Sequence, residues 1–474
     1  MNDNKWGANE EQAKVLKELE KRINKPIPIF DEVEQGNIGV KVYRGNILEL
    51  KLSGCELKTL PESVDNLKQL ITLELNINLL IALPESFGNL KLLRKLELSN
   101  NQLATLPESF GNLLSLQSLN LNGNQLKDLP EPILKLKSLQ SLDLGDNQLT
   151  TLPEAFGELE SLQSLDLGGN QLENLPESFG ELKSLEKLTL WNNQLGKFPD
   201  PLLKLGSLQT LDLGGNQLKV LPDAIGMLKS LQKLSLWKNQ LSRLPESFGE
   251  LKSLKDLSIW ENQLTTIPKS FEQLESLEGL YLFENKLTTL PAPITKLKSL
   301  HKLNLRGNQL TTLPETIGEI TSLNYLNLEL NKLTTLPESI NKLKSLKVLY
   351  LSQNENIALP DSIGQLESLQ TLALRDCKLT DLPIALGNLE ALMELYLNGN
   401  EISNLPDSVG NLQSLLALDL SNNHFAILQN ISTIWSLSDL RLLTLDGNPW
   451  NDDAKKWIGR EIPELLKHLR TIAH

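Results

Sequence analysis

Aromatic side chains recur in the middle of the chain at a spacing of 23 residues. Trp237, Trp260 and Phe283 follow one another at this spacing, and Trp191 stands two such intervals before Trp237. Aromatic rings bury large apolar areas and commonly anchor protein partners. Such a row can support non-covalent binding if one structural element repeats every 23 residues and presents the rings on one surface.

Residues that carry catalysis or hold metals are few and far apart in this sequence. The histidines and cysteines are His301, His424, His468, His474, Cys55 and Cys377. Their spacing matches no Ser-His-Asp or Cys-His arrangement and no zinc cluster, and the sequence contains no phosphate-binding or calcium-binding loop. The sequence therefore predicts a protein that is not an enzyme and that holds no metal or cofactor.

The element that repeats is a 23-residue unit, of which Leu139 to Ser161 is a typical copy. Its first eleven residues read L-x-x-L-x-L-x-x-N-x-L. Seventeen copies, this one included, succeed one another at constant intervals. They begin at Ile47, Leu70, Leu93, Leu116, Leu139, Leu162, Leu185, Leu208, Leu231, Leu254, Leu277, Leu300, Leu323, Leu346, Leu369, Leu392 and Leu415. An eighteenth copy begins at Leu440, after 25 residues. Positions are counted from the first residue of each copy.

Each copy predicts a short strand followed by a short helical turn. Positions four and six alternate as inward-facing residues, and the strands are expected to pair in parallel. The Asn at position nine can satisfy backbone groups, because its amide both donates and accepts. Asn356 replaces a core leucine beside Ile357, which predicts a local shift of that turn.

The second half of a copy reads L-P-E-S-F-G-x-L-K-S. Its proline is expected at the first helical position, where a missing N–H costs nothing. Three copies carry a second proline and are expected to be more extended. These Pro-x-Pro copies contain Pro130/Pro132, Pro199/Pro201 and Pro291/Pro293.

This pattern resembles that of leucine-rich repeat proteins over residues 47–448. The period and the Leu-Pro-Glu-Ser-Phe-Gly half are similar to cytosolic scaffold repeats of the Ras-regulating and plant intracellular kinds, and to repeats of spirochaetes and archaea. The resemblance implies an α/β fold. This would be a horseshoe-shaped solenoid with a parallel concave sheet and short helical or 3-10 turns on the convex side. It also implies that proteins bind on the concave sheet.

The segments that flank the repeats are predicted to cap them, since a repeat array exposes its core at each end. Residues 1–46 form the N-terminal cap, with a helix over Glu10–Ile23 and an edge strand. Residues 47–448 hold the 18 copies. Residues 449–474 form a C-terminal helical cap.

Composition limits the partners and the location. The net charge of −13, from 46 basic and 59 acidic residues, repels phosphate backbones, so nucleic acid is not expected as a partner. No apolar stretch is long enough to span a bilayer, and residues 1–12 lack the apolar segment of a secretory signal. Cys55 and Cys377 take the place of the position-nine Asn fourteen copies apart, so they cannot pair within one chain. We therefore expect a cytoplasmic monomer.

The candidate partner-binding residues stand at positions three, five and seven, which face the solvent side of the concave sheet. They are Trp191, Trp237, Trp260, Tyr281, Phe283, Arg306, Tyr325, Tyr350 and Tyr396. Neighbouring copies carry Gly or Ser at position seven, so the repeat itself does not require a ring there. Rings that only stack and stiffen the sheet are the alternative. The hot-spot role of aromatic residues favours binding, with Arg306 as a rim contact.

A row of acidic residues stands beside them at position five: Asp143, Asp166 and Asp212. Such short polar side chains commonly satisfy local groups across neighbouring strands, and this row would also attract a basic segment of a partner. The sequence therefore predicts a non-catalytic scaffold that binds a protein. The alternative is a module that senses a glycan or peptide within a larger signalling protein.

Overall fold

The computed structural model describes residues 4–30 and 37–473. The chain divides into two compact units, Met1–Ser235 and Leu236–His474, and each is described by itself. His474, one of the four histidines, lies outside the described residues.

Each copy contributes one short strand, and one further strand precedes the first copy. The strands are β1 (Ile38–Tyr43), β2 (Asn46–Leu52), β3 (Thr72–Glu74), β4 (Lys95–Glu97), β5 (Ser118–Asn120), β6 (Ser141–Asp143), β7 (Ser164–Asp166), β8 (Lys187–Thr189), β9 (Thr210–Asp212), β10 (Lys233–Ser235), β11 (Asp256–Ser258), β12 (Gly279–Tyr281), β13 (Lys302–Asn304), β14 (Tyr325–Asn327), β15 (Val348–Tyr350), β16 (Thr371–Ala373), β17 (Glu394–Tyr396), β18 (Ala417–Asp419) and β19 (Leu442–Thr444).

Short 3-10 helices alternate with these strands, and α-helices stand outside the repeats. The α-helices are α1 (Glu10–Ile23), α2 (Asp452–Lys455) and α3 (Ile462–Ile472). The 3-10 helices are Glu62–Asn66, Glu85–Asn89, Glu108–Asn112, Glu131–Lys135, Glu154–Glu158, Glu177–Glu181, Asp200–Lys204, Asp223–Met227, Glu246–Glu250, Lys269–Gln273, Ala292–Lys296, Glu315–Glu319, Glu338–Lys342, Asp361–Gln365, Ile384–Asn388, Asp407–Asn411 and Leu428–Ser436.

The strands pair in parallel, as predicted. In the first unit β1 pairs antiparallel with β2, and β2 to β10 then pair in parallel. In the second unit β11 to β19 pair in parallel. Equal positions lie opposite each other, as Leu142 does to Leu165 and Leu257 to Leu280. Residues at one position therefore form a row across the strands.

The repeated apolar residues fill the interior of each unit. Side chains at positions four and six are at most 1% exposed from Leu50 to Leu420. On the side of the 3-10 helices, phenylalanine rings stack between neighbouring copies, as Phe87 does on Phe110 with centroids 6.1 Å apart. Burial of apolar surface, at roughly 25 cal/mol per Å², is the main favourable contribution to folding here.

The position-nine asparagines join successive copies through the backbone. Asn101, which is buried, accepts a hydrogen bond from the Leu80 N–H at 3.1 Å. Its amide donates to the carbonyls of Leu75 and Leu98, each at 3.0 Å. Buried backbone groups cost free energy unless they are paired. The Asn at this position therefore has a structural role, as the sequence predicts.

The repeat proline is the N-cap of its 3-10 helix and not the first helical residue, which corrects the prediction. Pro176, which precedes Glu177–Glu181, is extended at φ −66° and ψ 154°. The φ that the proline ring imposes fits this extended residue as well as a helical one. The Pro-x-Pro copies form 3-10 helices of the same length, such as Asp200–Lys204, so the expectation of a more extended chain is wrong. Their second proline lies in the first turn, where no N–H is needed.

Helices stand at both ends of the described chain. Helix α1 has the predicted bounds Glu10–Ile23, and the Asn9 side chain caps it by accepting from the Gln12 N–H. Its residue Leu16 is fully buried. At the other end, α3 packs against the 3-10 helix Leu428–Ser436.

The irregular copy that begins at Leu346 has the predicted shift. Asn356 adopts a left-handed backbone conformation with φ of 62°. The next residue, Ile357, is 2% exposed and takes the core place of the missing leucine. Asparagine tolerates this conformation better than most residues, so the substitution and the backbone change explain each other.

Candidate binding surface

Side chains at positions three, five and seven lie on the face of the sheet opposite to the buried leucines, because side chains alternate along a strand. We call this the open face. In the second unit Trp237, Trp260 and Phe283 occupy position seven of successive copies and form an aromatic stack. The centroids of Trp237 and Trp260 are 4.9 Å apart, and those of Trp260 and Phe283 are 4.8 Å apart. All three side chains are half-buried.

The indole N–H groups of the aromatic stack are free to bind. Within the described part of the chain, neither Trp237 nor Trp260 donates its Nε1–H to a protein group. In contrast, Trp6 donates to the Ile27 carbonyl at 2.7 Å, and Trp450 donates to the Leu445 carbonyl at 2.9 Å. The stack therefore offers two donors beside its apolar surface.

Tyr281 lies next to the stack at position five and leans along its own strand. A methyl group added at Gly279 would lie 3.2 Å from Tyr281 Cε2, so the missing side chain makes room for the phenol ring. Burial raises the pKa of Tyr281, and the Asp256 carboxylate raises it further. The phenol therefore remains protonated and able to donate at neutral pH.

Two further aromatic contacts lie in later copies of the second unit. Tyr325 and Tyr350 meet edge to face, with centroids 5.8 Å apart and planes at 88°. The Arg375 guanidinium lies over the Tyr396 ring at 4.3 Å from its centroid. The Tyr396 hydroxyl is 3.3 Å from Glu394 Oε2 and donates to it. These tyrosines are thus held in place by their neighbours.

Arg306 follows the aromatic stack at position seven. Its Nη1 is 2.7 Å from Glu284 Oε1, and both side chains are more than one-third exposed. An exposed ion pair contributes about 0–1 kcal/mol to stability. The pairing therefore orients the Arg306 guanidinium and leaves it accessible to solvent; its role as a rim contact stays a prediction.

Trp191 lies in the first unit and is not part of the aromatic stack. Its indole covers Gly168: a Cβ added there would be 2.2 Å from Trp191 Nε1. Gly168 is buried under this ring, although it stands at the same position seven. A glycine in the preceding copy is thus the reason that this large ring fits on the open face.

The acidic row beside Trp191 pairs mainly with backbone groups of its own copies, rather than across neighbouring strands as predicted; Asp143 also accepts from the preceding copy, from Asn122 Nδ2 at 3.4 Å. Asp143, Asp166 and Asp212 each accept from the N–H of the glycine two residues further on, at 3.0, 2.8 and 2.9 Å. Burial raises the pKa of Asp166 to about 6, and the negative charges of Asp143, Asp146 and Asp212 add to the shift. The row therefore has a structural use and also concentrates negative charge on the open face.

Sequence reasoning found the rings but not their partners. Arg375, Glu394 and Glu284 contact the named residues and were not among the candidates. Arg375 stands at position seven, one copy before Tyr396, so the rule that positions align across strands could have identified it. The named residues of the second unit form separate contacts: the stack, the Tyr325–Tyr350 pair and the Tyr396–Arg375 pair.

Metal sites and membrane-spanning helices are absent from the part of the chain that the structure describes. Across residues 4–30 and 37–473, no three His, Cys, Asp or Glu side chains are grouped so that they could hold a metal ion. In the same ranges, no helix has the length and apolar character needed to cross a membrane.

Comparisons with known proteins agree with the repeat architecture. The family profile described as "Leucine-rich repeat region" matches residues 106–214, 199–286 and 340–474, which is more than half of the chain. Other leucine-rich repeat profiles match residues 298–356, 275–316 and 92–113. A comparison with curated proteins gave no match.

Solved structures with the same fold come from bacteria and plants. A leucine-rich repeat protein of Leptospira interrogans is 35% identical, with 88% of this chain and 94% of that chain covered and a TM-score of 0.71. The plant peptide hormone receptor RGFR1, in complex with RGF2, is 27% identical over 85% of this chain and 75% of that one, with a TM-score of 0.64. The Arabidopsis receptor kinase HAESA, in complex with the peptide hormone IDA and the co-receptor SERK1, is 26% identical over 88% and 82%, with a TM-score of 0.55. The α/β solenoid predicted from the repeats is thereby confirmed, and the chain belongs to the leucine-rich repeat proteins.

Proposed function

We propose that this protein is a non-catalytic scaffold whose second unit binds an extended segment of a protein partner on its open face. The aromatic stack is the anchor, and the tyrosines with Arg306 and Arg375 are the outer contacts. The observation that carries the proposal is the stack itself: three half-buried rings with two free indole donors. Aromatic residues of this kind are the usual hot spots of interfaces.

The geometry of the stack favours a peptide over a glycan. Sugars bind aromatic residues mainly by lying on an open ring face. Both faces of Trp260 are covered by its neighbours, Trp237 at 4.9 Å and Phe283 at 4.8 Å. The stack therefore presents ring edges, which carry partial positive charge, and indole N–H donors. Peptide carbonyl groups and carboxylates suit both features.

The length of the surface fits an extended segment. Trp237 and Tyr396 are seven repeat intervals apart in the sequence. With strands ~4.8 Å apart, the row between them is roughly 34 Å long. An extended chain covers this length with about ten residues. A segment that crosses the strands could thus contact the stack at one end and the Tyr396–Arg375 pair at the other.

Related structures support this kind of partner. RGFR1, a plant peptide hormone receptor, is solved in complex with RGF2, and HAESA in complex with the peptide hormone IDA. In the first unit, considered by itself, the negative charge around Asp166 would attract a basic segment of a protein. A reducing, cytoplasmic location remains part of the proposal because Cys55 and Cys377 are free thiols.

A peptide library tests the proposal directly. Randomised peptides of about ten residues would be selected on the full chain, and binding of the enriched peptides, each carrying a fluorescent label, followed by fluorescence anisotropy. Trp237→Ala with Trp260→Ala should weaken binding at least tenfold, since hot-spot residues commonly contribute 2 kcal/mol or more. Met227→Ala is the matched control, because Met227 is an apolar side chain that is 62% exposed on a 3-10 helix.

Two results would contradict the proposal. One is peptide binding that is equally strong in the parent and in the variant with Trp237→Ala and Trp260→Ala, which we call the stack variant. The other is a panel of fluorescently labelled oligosaccharides in which a sugar binds the parent but not the stack variant, while no peptide is enriched. That second result would support the glycan-sensing alternative.

A further inference from the structure

The last strand of the second unit, β19, is less well covered than any strand before it. Leu443 stands at position four, where the side chains from Leu50 to Leu418 are at most 1% exposed, yet Leu443 is partly exposed. Its neighbour Leu442 is 57% exposed on the open face. Two adjacent leucines, one on each face of the strand, thus remain in contact with solvent.

The C-terminal helices pack elsewhere and do not cover β19. Helix α3 packs against the 3-10 helix Leu428–Ser436, on the opposite side of the copy. Trp435 in that segment is covered by Arg470 of α3 at 5.1 Å. The cap therefore closes the helical side of the last copy and leaves the strand side open.

The backbone of β19 has hydrogen-bonding groups on its outer edge. The Leu442 N–H donates to Leu416, and the Thr444 carbonyl accepts from Leu420, so residues 442 and 444 pair with the preceding copy. Alternate residues of a strand bond to opposite sides. The N–H and carbonyl of Leu443 and the N–H of Leu445 consequently point away from the sheet.

The first strand of the repeats is protected differently. β2 is paired on its outer side by the antiparallel strand β1, in which Val40 lies opposite Leu50 and both are fully buried. Exposed edges of this kind are normally blocked by such a strand, a charge or a proline, because they otherwise pair with another chain. β19 has Leu442 and Leu443 where a blocking residue would stand.

From this geometry we infer that the full chain forms a reversible homodimer in which β19 pairs antiparallel with β19 of a second copy. With Leu443 opposite its symmetry mate, the two residues exchange two backbone hydrogen bonds. The Leu445 N–H of each copy then meets the Arg441 carbonyl of the other, which adds two more. Leu442 of each copy packs beside Thr444 of the other.

Charge supports a second copy as the occupant. Arg441 and Asp446 are both exposed at opposite ends of the strand. Antiparallel self-pairing brings the Arg441 of each copy near the Asp446 of the other, so the same favourable contact occurs twice, as two-fold symmetry requires. The net charge of −13 on each copy opposes association. Because salt screens this long-range repulsion, the dimer should become tighter as the salt concentration rises. This inference replaces the expectation of a monomer and is independent of the proposed peptide site.

Sedimentation of the full chain at increasing concentration tests the inference. The mass should rise from 53.0 kDa towards twice that value, with a midpoint on the order of 10 µM, since the contact is small. Hydrogen exchange of the Leu443 and Leu445 amides should slow over the same concentrations.

Variants distinguish this edge from general association. Leu442→Lys with Thr444→Lys places like charges opposite each other and should weaken the dimer at least tenfold, while lysine is tolerated at position three in Lys302. Arg441→Glu should weaken it, and adding Asp446→Lys should restore it. Ile384→Lys is the control, because Ile384 is 75% exposed on a 3-10 helix.

The inference is overturned by a mass that stays at 53.0 kDa up to about 200 µM at moderate salt. With a dissociation constant of about 10 µM, most of the chains would be dimeric at that concentration. It is equally overturned by a dimer whose dissociation constant is unchanged in the double lysine variant. A dimer that is lost in Ile384→Lys but kept in the β19 variants points to another surface and also overturns it.

Discussion

The indole rings of Trp237 and Trp260 stack face to face, with their planes inclined by only 8°. They come from positions 23 residues apart in the sequence and meet because parallel strands align equal positions. Phe283 extends the stack at 10° to Trp260. The sequence allowed two roles for these rings: contact with each other and contact with a partner. The stacking shows the first, and it is compatible with the proposed second because it leaves the ring edges uncovered by the stack.

Loss of Trp260 should abolish the optical coupling of the indoles. Two parallel indoles at 4.9 Å give an exciton couplet in the far-ultraviolet circular dichroism, and Trp260→Ala removes one member. The free energy of unfolding should fall by about 1–2 kcal/mol from lost ring contacts. Phe283→Ala is the control, since it leaves both indoles in place. A couplet that persists in Trp260→Ala would show that the rings do not stack in solution.

Removal of one position-nine amide should be costly. Asn262 accepts from the Leu241 N–H at 3.0 Å and donates to the Leu236 and Ile259 carbonyls at 2.9 and 3.3 Å. Asn262→Ala leaves these buried groups unpaired and should cost about 3 kcal/mol in urea unfolding.

A cysteine at the same place should cost less than alanine. Cys377 occupies position nine naturally, with its Sγ 3.5 and 3.4 Å from the carbonyls of Leu351 and Arg375. A thiol is a weak donor, but it can still donate to one of these carbonyls, whereas alanine has no donor. If Asn262→Cys and Asn262→Ala unfold at the same urea concentration, the hydrogen-bonding account of position nine is wrong.

Two glycines of the first unit should respond differently to a methyl group. An added Cβ at Gly157 would lie 2.2 Å from the Ser178 backbone oxygen, which cannot move without shifting the next copy. Gly157→Ala should therefore destabilise the protein by about 3 kcal/mol or more, as overpacking of a core does. Gly196 has no atom within 4 Å of such a Cβ, and Gly196→Ala should change stability by less than about 1 kcal/mol. Thermal unfolding of the two variants measures the difference.

The pKa of Asp166 predicts how stability depends on pH. Burial raises this pKa from 3.8 to about 6. Between these two pH values the folded protein holds a proton that the unfolded chain releases. The stabilising contribution of Asp166 to the free energy of unfolding is therefore full below pH 3.8 and is lost as the pH rises through 6. For a fully buried group this shift amounts to about 3 kcal/mol, and for the half-buried Asp166 we expect about 1–2 kcal/mol after solvent screening.

Asp166→Asn removes the titration and keeps an oxygen that can accept from the Gly168 N–H. The variant should be more stable than the parent near pH 7.5 and equal to it near pH 3, as measured by urea unfolding at both values. If the difference in the free energy of unfolding between the parent and the variant is the same at both pH values, the pKa of Asp166 is not raised.

Most of the fold could be predicted from the sequence because each copy repeats the same local requirements. Leucines at positions four and six, Asn101 and its equivalents, and helix α1 over Glu10–Ile23 all have the expected places. The proline prediction failed by one residue, because the fixed φ of proline is compatible with both an extended N-cap and a helical residue. The binding role of the aromatic residues stays a prediction.

The sequence by itself determines the repeat, its core and the row of aromatic positions, since a fixed period places equal residues on the same face of parallel strands. Only the tertiary structure decides which neighbours those residues contact. Three features depend on side-chain rotamers and on the presence or absence of an adjacent copy: Trp237 lies flat on Trp260, Arg375 covers Tyr396, and Leu443 is partly exposed. Such contacts join residues 20 or more apart in the chain, so local sequence preferences do not fix them.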